Sequence, residues 1–320
     1  MRMPHILAIV ATITVLIWLM IPSQEGDAGF NPAVADPAFR SNHPRIYFDE
    51  GHWNIHTANG RYKPFADLLR NDGYDVVSQR GEFTRQKLAD FQLLVVANAM
   101  GWSGATQQLV NMLRGEKYVH VKAAAFNASE CEAVRQWVAD GGSLLLISDH
   151  APAGEAAAAL SEEFGVGMTN WWAEEPRSHD KETDSWAFLV FSRENGQLQD
   201  HAITRGRNEG ERLNVVTTFT GQSLRGPEGG TSFLKLSADA REYPWSNSPD
   251  DMFRSAANLA QGVALEYGKG RVVVLGEAAV LTSQVARAPG REFHFGLDWP
   301  GSDNRQLALN IAHWLTRCLN

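Results

Sequence analysis

Residues 140–150 read DGGSLLLISDH, and they contain the clearest pattern of secondary structure in the chain. The glycine pair Gly141 and Gly142 ends an amphipathic helical pattern that covers 128–139. A continuous apolar run follows over 144–147, as is typical of a strand buried on both faces, and polar residues come directly after it. The stretch therefore predicts a helix, a buried parallel strand and a polar strand end, in that order.

The same alternation of helical patterns and apolar runs extends in both directions. Strands are predicted at 46–48, 74–77, 93–97 and 213–219, a hairpin at 263–275, and helices at 62–71, 156–164 and 304–315. Buried strands separated by helices favour an α/β fold. We therefore predict a doubly wound, mostly parallel sheet covered by helices on both faces.

One α/β domain is predicted over 45–320. Residues 171–250 lose the regular alternation, so we interpret them as an irregular insertion in this domain. Within it, 224–231 and 243–251 are rich in Gly, Pro, Ser and Asp and are predicted to be loops. Residues 30–44 contain three prolines and little periodicity, which is typical of a linker leading into the domain.

The first 29 residues carry an export pattern. Arg2 precedes an almost unbroken apolar run over 6–22, and polar residues follow it. Such a pattern is typical of a secretory signal, while a run of this length is at the lower edge of what spans a bilayer. A cleaved signal peptide and an N-terminal membrane anchor both stay open. In either case we expect the domain outside the cytoplasm, in the periplasm or at the cell surface.

Composition excludes several classes of protein. The 320 residues are 44% hydrophobic and 21% charged, which is typical of a globular chain. The formal net charge of -8 lacks the basic footprint of a nucleic-acid binder. No glycine-rich phosphate loop follows a strand, so no nucleotide cofactor is expected. The two cysteines, Cys131 and Cys318, fall in helical patterns and are expected to be free thiols.

Polar side chains follow four of the predicted strands. In open α/β sheets the ligand site lies at the carboxyl ends of the strands, because the loops converge there. The candidates are Asp49, Glu50, His52 and Asn54 after the first strand, Asn98 after the third, Asp149 and His150 after the central strand, and Glu277 after the last. We expect these residues to form one site.

The first interpretation of this site is general acid–base catalysis. A carboxylate, Asp149 or Glu50, would orient a histidine, and His150 or His52 would activate water, since imidazole titrates near neutral pH. The other candidates, Asp49, Asn54, Asn98 and Glu277, are then expected to bind the substrate.

A divalent metal such as zinc is the open alternative. Its candidate ligands are Asp49, His52, Asp149 and His150, which have the donor types that such a metal binds. A structural role is also open, because Asp149 is a residue type that caps helices and His52 could be an exposed loop residue.

Three stretches resemble a known superfamily. Residues 48–52, 140–150 and 268–277 resemble uncharacterised domains of the class I glutamine amidotransferase-like superfamily. The resemblance implies a flavodoxin-like fold and, in true amidotransferases, a nucleophilic cysteine on a tight turn after a strand. By strand order that turn falls at 148–150, which read Ser-Asp-His, so glutaminase chemistry is not expected. Ser148 also lacks the neighbouring glycines of a GxSxG turn.

These observations predict an exported amidotransferase-like domain. It would bind a polar small molecule or glycan at the carboxyl edge of the sheet, with hydrolysis by the Asp/Glu/His cluster as its candidate activity. The alternative is a non-catalytic binding or scaffold module with a protein partner in the envelope, because a fold alone does not specify a reaction.

Overall fold

The computed structural model describes residues 23–102, 109, 113, 124–244, 252–288 and 290–319. Most of the predicted signal peptide or anchor lies outside the described residues. Within the described part of the chain, no helix has the length and apolar character needed to cross a membrane. Residues 23–26 belong to the folded domain as its first strand.

The N-terminal half alternates strands and helices. Its elements are β1 (Ser23–Gly26), β2 (Arg45–Asp49), α1 (Lys63–Asn71), β3 (Asp75–Gln79), α2 (Arg85–Leu88), β4 (Leu93–Ala97), α3 (Ala128–Ala139), β5 (Ser143–Ile147) and α4 (Ala153–Glu162). Helix α3 begins at a capping box, in which the Asn127 side chain accepts from the Glu130 N–H and the Glu130 side chain accepts from the Asn127 N–H.

The C-terminal half consists mainly of strands. Its elements are β6 (Gly167–Glu174), β7 (His179–Asp180), β8 (Ser185–Ser192), α5 (Ala202–Arg205), β9 (Val215–Phe219), β10 (Gln222–Arg225), β11 (Thr231–Lys235), β12 (Arg241–Tyr243), β13 (Arg254–Ser255), β14 (Ala260–Tyr267), β15 (Gly270–Leu275), β16 (Ser283–Ala288), β17 (Arg291–Gly296) and α6 (Asn304–Leu315). Short 3-10 helices lie at Glu209–Glu211 and Ala279–Leu281.

One large mixed sheet organises the described residues. It has 11 strands in the order β13-β12-β6-β10-β14-β15-β5-β4-β2-β3, with β11 also paired to β14. Strands β15, β5, β4, β2 and β3 run parallel to one another, and the remaining strands pair antiparallel. Two smaller antiparallel sheets, β1-β16-β17 and β7-β8-β9, complete the strand pairing.

The prediction of a doubly wound, mostly parallel sheet is therefore wrong. Strands dominate the described chain, and most strands of the large sheet are antiparallel. The parallel strands β4 and β5 are buried along their whole length and are easy to recognise in sequence. Strand β8 instead alternates buried with half-buried residues, and β10 and β11 begin or end in a stretch whose Gly and Pro content predicted loops.

Apolar side chains cover both faces of the parallel strands. On one face, Phe65 of α1 and Leu307 of α6 pack in the larger core cluster. On the other face, Trp137 of α3 and Leu160 of α4 pack in a second cluster. Burying each such side chain contributes roughly 1.5–3 kcal/mol. This packing fixes the parallel strands, and with them the loops at their carboxyl ends.

Asn304, fully buried at the start of α6, joins strands β9 and β17. Its Nδ2 donates to the carbonyls of Thr217 (2.8 Å) and Gly296 (2.9 Å), and its Oδ1 accepts from the Thr217 N–H (3.0 Å). We expect Asn304→Ala to lower the free energy of unfolding by about 2–4 kcal/mol, because three backbone groups lose their partner. Urea unfolding measures this, with the half-buried Gln306→Ala as control; equal effects of the two changes would contradict it.

Candidate functional site

The predicted site residues separate into two groups. Asn98, Asp149, His150 and Glu277 line one cavity of about 480 Å³ beyond the carboxyl ends of β4, β5 and β15. Asp49, His52 and Asn54 instead form a buried cluster after β2. Glu50 belongs to neither group: its carboxylate accepts from Ser78 Oγ (2.9 Å) and the Ala58 N–H (3.1 Å), beside a separate cavity near Trp53.

Asp149 is held at the floor of the 480 Å³ cavity by Asn98. Asn98 Nδ2 donates to Asp149 Oδ2, and the Asp149 N–H donates to Asn98 Oδ1, both at 2.8 Å. The Ala278 N–H approaches Asp149 Oδ1 at 3.3 Å. Asp149 is half-buried, and it is one of the residues that line the cavity. These hydrogen bonds therefore hold a partly accessible carboxylate at the wall of the cavity.

Glu277 lies beside Asp149 and is almost completely buried. Its two carboxylate oxygens accept from the N–H groups of Ala279 (2.6 Å) and Val280 (2.8 Å), at the start of the 3-10 helix Ala279–Leu281. Burial and the negative charge of Asp149 raise the pKa of Glu277 well above its ordinary value. Burial also raises the pKa of Asp149, against the opposing effects of His150, Asn98 and Arg61. The titrations of these two neighbouring acids are therefore linked.

Residues that the strand-end rule does not nominate complete the cavity wall. His56 and Arg61 come from the loop that precedes α1, and Gln24 comes from β1. Burial and the charge of Arg61 lower the pKa of His56 to about 3, so its imidazole is neutral at physiological pH. The aromatic side of the cavity consists of Phe188, Phe219, Phe293 and Phe295.

Nothing in the local sequence marks these wall residues. The four phenylalanines lie on β8, β9 and β17, far apart in sequence, and they pack together with Trp299. The centroids of Phe219 and Phe295 are 5.5 Å apart, and those of Phe293 and Phe295 are 5.7 Å apart. Their strands belong to two separate sheets, and only the packing of these sheets brings the four side chains to the cavity.

His52 is held between two carboxylates. Its Nδ1 lies 2.9 Å from Asp49 Oδ1, and its Nε2 lies 2.8 Å from Glu130 Oε1. Burial alone would lower the pKa of His52, but the hydrogen bonds and charges of Asp49 and Glu130 raise it above its usual value. Phe83 and Phe126 pack on the ring, with centroids at 4.6 and 4.8 Å. Both nitrogens are thus occupied, so His52 has no free nitrogen with which to activate water or bind metal.

The candidate metal ligands do not meet. Asp149 and His150 line the cavity, whereas Asp49 and His52 bind each other in the buried cluster with Glu130. Across the described ranges, no group of three or more His, Cys, Asp or Glu residues could hold a metal ion. Both cysteines are free thiols, Cys131 buried on α3 and Cys318 half-buried after α6.

The proton held by Glu277 makes stability depend on pH. Because the folded-state pKa is raised, the unfolded state loses this proton first, above about pH 4.3. The contribution of Glu277 is thus complete below that pH and is lost as pH rises through the folded pKa. We expect urea unfolding between pH 5 and 9 to show a smaller loss of stability in Glu277→Gln than in the unmodified chain. Parallel curves would contradict this expectation.

Comparison with known proteins gives the fold. No protein-family model matches the chain, and no curated protein matches it. The N-terminal domain of mmIFT52 is similar in structure, with a TM-score of 0.56 and 17% identity over 85% of this chain and 97% of that domain. The chain therefore shares the fold of that domain.

More distant solved structures include ThuA-like proteins, which have the class I glutamine amidotransferase-like fold. One from Bacteroides uniformis has a TM-score of 0.44 and 11% identity over 90% of this chain and 95% of its own. Another, from Parabacteroides merdae, has a TM-score of 0.41 and 12% identity over 86% and 90%. Similarity this low supports no conclusion about the function of this chain.

Proposed function

We propose that the 480 Å³ cavity binds a polar, hydroxylated small molecule or glycan, and that Asp149 and Glu277 hydrolyse it by acid–base catalysis. The observation that carries this proposal is a pair of neighbouring acids, Glu277 buried and Asp149 half-buried, which line an accessible cavity and have raised pKa values. Perturbed acids in a cleft are typical of functional sites, because proton transfer needs groups that titrate near the working pH.

The two acids differ in a way that suggests their roles. Glu277 is almost completely buried beside the negative charge of Asp149, which favours its protonated form, so it would donate a proton to the leaving-group oxygen. Asp149 has accessible surface and is oriented by Asn98, so it would act as the base toward water. His150 lines the same cavity, next to Asp149, and would contact the substrate.

The cavity wall fits a sugar. Sugar rings expose C–H groups on one face and hydroxyl groups at their edges. Aromatic rings such as Phe219 and Phe295 would pack against the C–H face, whereas Asn98 and Asp149 would bond hydroxyl groups. Hydrogen bonds that a hydroxyl group donates to a carboxylate are strong because the acceptor is charged.

The proposal includes a family assignment for the domain. We infer an amidotransferase-like domain that lacks the nucleophilic cysteine. Supporting it, β5 runs directly into Ser148, Asp149 and His150, while Cys131 lies on α3 and Cys318 follows α6. The side chain of Ser148 is fully buried, which argues against a replacement serine nucleophile.

Export of the domain to the periplasm or cell surface is also proposed, on the pattern of residues 1–29. Strand β1 pairs with β16, and its Gln24 lines the cavity. Cleavage after residue 26 or 28 would remove β1, so we expect a signal peptide, where cleaved, to end before Ser23. Mass spectrometry of the N terminus of the exported protein measures this. A mature N terminus at 27 or beyond would contradict the role of β1.

A panel of p-nitrophenyl glycosides tests the function. The full chain, purified in detergent, is expected to release p-nitrophenolate from at least one glycoside or to bind it with a measurable rise in melting temperature. The same glycoside should have no such effect on Asp149→Asn. A panel that yields neither turnover nor binding would contradict the proposal and favour the scaffold alternative.

A further inference from the structure

Arg61 is anchored beside the acids and lines the same cavity. Its Nε donates to the Gln24 carbonyl of β1 (2.9 Å), and its own carbonyl accepts from Thr282 Oγ1 (2.8 Å). Backbone and side chain are therefore both held, so the guanidinium is preorganised at the cavity wall.

The guanidinium of Arg61 has no ion-pair partner among the residues that the structure describes. Many other arginines form close pairs, such as Arg207 with Glu211 and Arg135 with Glu132. Its terminal nitrogens make no hydrogen bond with a described residue, since only Nε does. Burial lowers the pKa of Arg61, and the negative charge of Asp149, which lies beyond ion-pair distance, offsets only part of that effect.

An anionic ligand in the cavity would give Arg61 a direct ion-pair partner. The planar fork of a guanidinium matches a carboxylate bidentately, and such pairs are strong in partly desolvated sites. The neighbouring His56 is neutral at physiological pH and does not compete for the anion. The nearby Asp149 disfavours a doubly charged group, so a carboxylate fits this wall better than a phosphate.

We propose that the ligand of this cavity is a sugar acid of the hexuronate type, whose carboxylate binds Arg61. This inference rests on the proposed function, because it places the sugar ring between the phenylalanine wall and the acids. The carboxylate at one edge of the ring meets Arg61, the C–H face meets Phe219 or Phe295, and hydroxyls meet Asn98 and Asp149.

Calorimetric titration of the full chain tests the preference. The probes are D-glucuronate and D-galacturonate, their neutral counterparts D-glucose and D-galactose, and D-glucose 6-phosphate. We expect at least one acid to bind 10-fold or more tightly than its neutral counterpart and than the phosphate. Arg61→Gln should reduce that preference to less than threefold.

Arg305→Gln is the matched control. Arg305 also donates to backbone carbonyls of the N-terminal region, those of Asn31 and Ala33, but it lies away from the cavity. The Arg305→Gln variant should keep the full preference for the acid over the neutral sugar and the phosphate. If circular dichroism shows that Arg61→Gln does not fold, the ratio of the affinities for the acid and for its neutral counterpart in the unmodified chain tests the proposal.

The possible results distinguish a failure of the hexuronate proposal from a failure of the proposed function. Neutral sugars that bind as tightly as the acids, tighter binding of the phosphate, or an unchanged preference in folded Arg61→Gln would overturn the hexuronate proposal alone. Binding of neither acids nor neutral sugars by the unmodified chain would overturn it together with the proposed function.

Discussion

His52→Ala is expected to lower the free energy of unfolding by about 3–5 kcal/mol, as when one partner of a buried ion pair is removed. His52 is only 8% exposed and separates Asp49 from Glu130. Without the imidazole, two buried carboxylates would face each other across an empty space lined by Phe83 and Phe126. Urea unfolding at pH 6 measures the loss.

The pH dependence of this effect has a defined sign. The pKa of His52 is raised in the folded state, so its contribution is complete below the unfolded value of about 6.5. It is lost as pH rises through the folded pKa. The difference between the unmodified chain and His52→Ala should therefore shrink at alkaline pH.

His294 offers a matched control on the surface. Its ring also lies between two carboxylates, Asp27 and Glu292, each at 2.9 Å, but it is 54% exposed. Solvent screens such pairs, so His294→Ala should cost less than about 1 kcal/mol. Equal losses in the two variants would show that burial does not set the energy of the His52 cluster.

Replacing the cavity acids should abolish most of the turnover. On a disaccharide of the active sugar, Asp149→Asn and Glu277→Gln are each expected to reduce kcat by about 10²–10⁴-fold, the usual contribution of general acid–base catalysis. On the p-nitrophenyl glycoside the loss in Glu277→Gln should be smaller, because p-nitrophenolate leaves without protonation. The pH profile of kcat should be bell-shaped in the unmodified chain. Each variant should lose one limb of that profile, which a merely structural role would not produce.

Glu175→Gln controls for the cost of changing a buried acid. Glu175 is fully buried, burial raises its pKa, and it accepts from Gln197 and Ser237, but it does not line the cavity. Its replacement should destabilise the chain and leave kcat per folded molecule within about threefold, because its carboxylate has no part in the proton transfer. A similar kcat loss in all three variants would contradict a catalytic role for Asp149 and Glu277.

The sequence predicts the parallel part of the fold well and the antiparallel part poorly. The bounds of β4, α3 and α6 are confirmed, because buried strands and capped helices have strong local patterns. Several antiparallel strands, such as β8, β10 and β12, are short or half-buried. Their pairing depends on distant segments, as when β6 pairs with both β10 and β12. A local window contains no information about such pairing.

The candidate site could also be predicted only in part. The strand-end rule brings Asn98, Asp149, His150 and Glu277 together because β4, β5 and β15 are neighbours. It is misleading for His52, since a carboxylate from α3, Glu130, binds it on the other side. Arg61 and the phenylalanine wall could not be predicted, because their positions depend on how β1, β8, β9 and β17 pack around the cavity.

A crystal structure of Glu277→Gln bound to the best ligand of the two panels would show directly where the ligand binds. We expect the ligand in the 480 Å³ cavity, with a ligand oxygen within hydrogen-bond distance of Asp149 and an apolar face against Phe219 or Phe295. A ligand found elsewhere, such as the cavity beside Trp53 and Arg80, would contradict it.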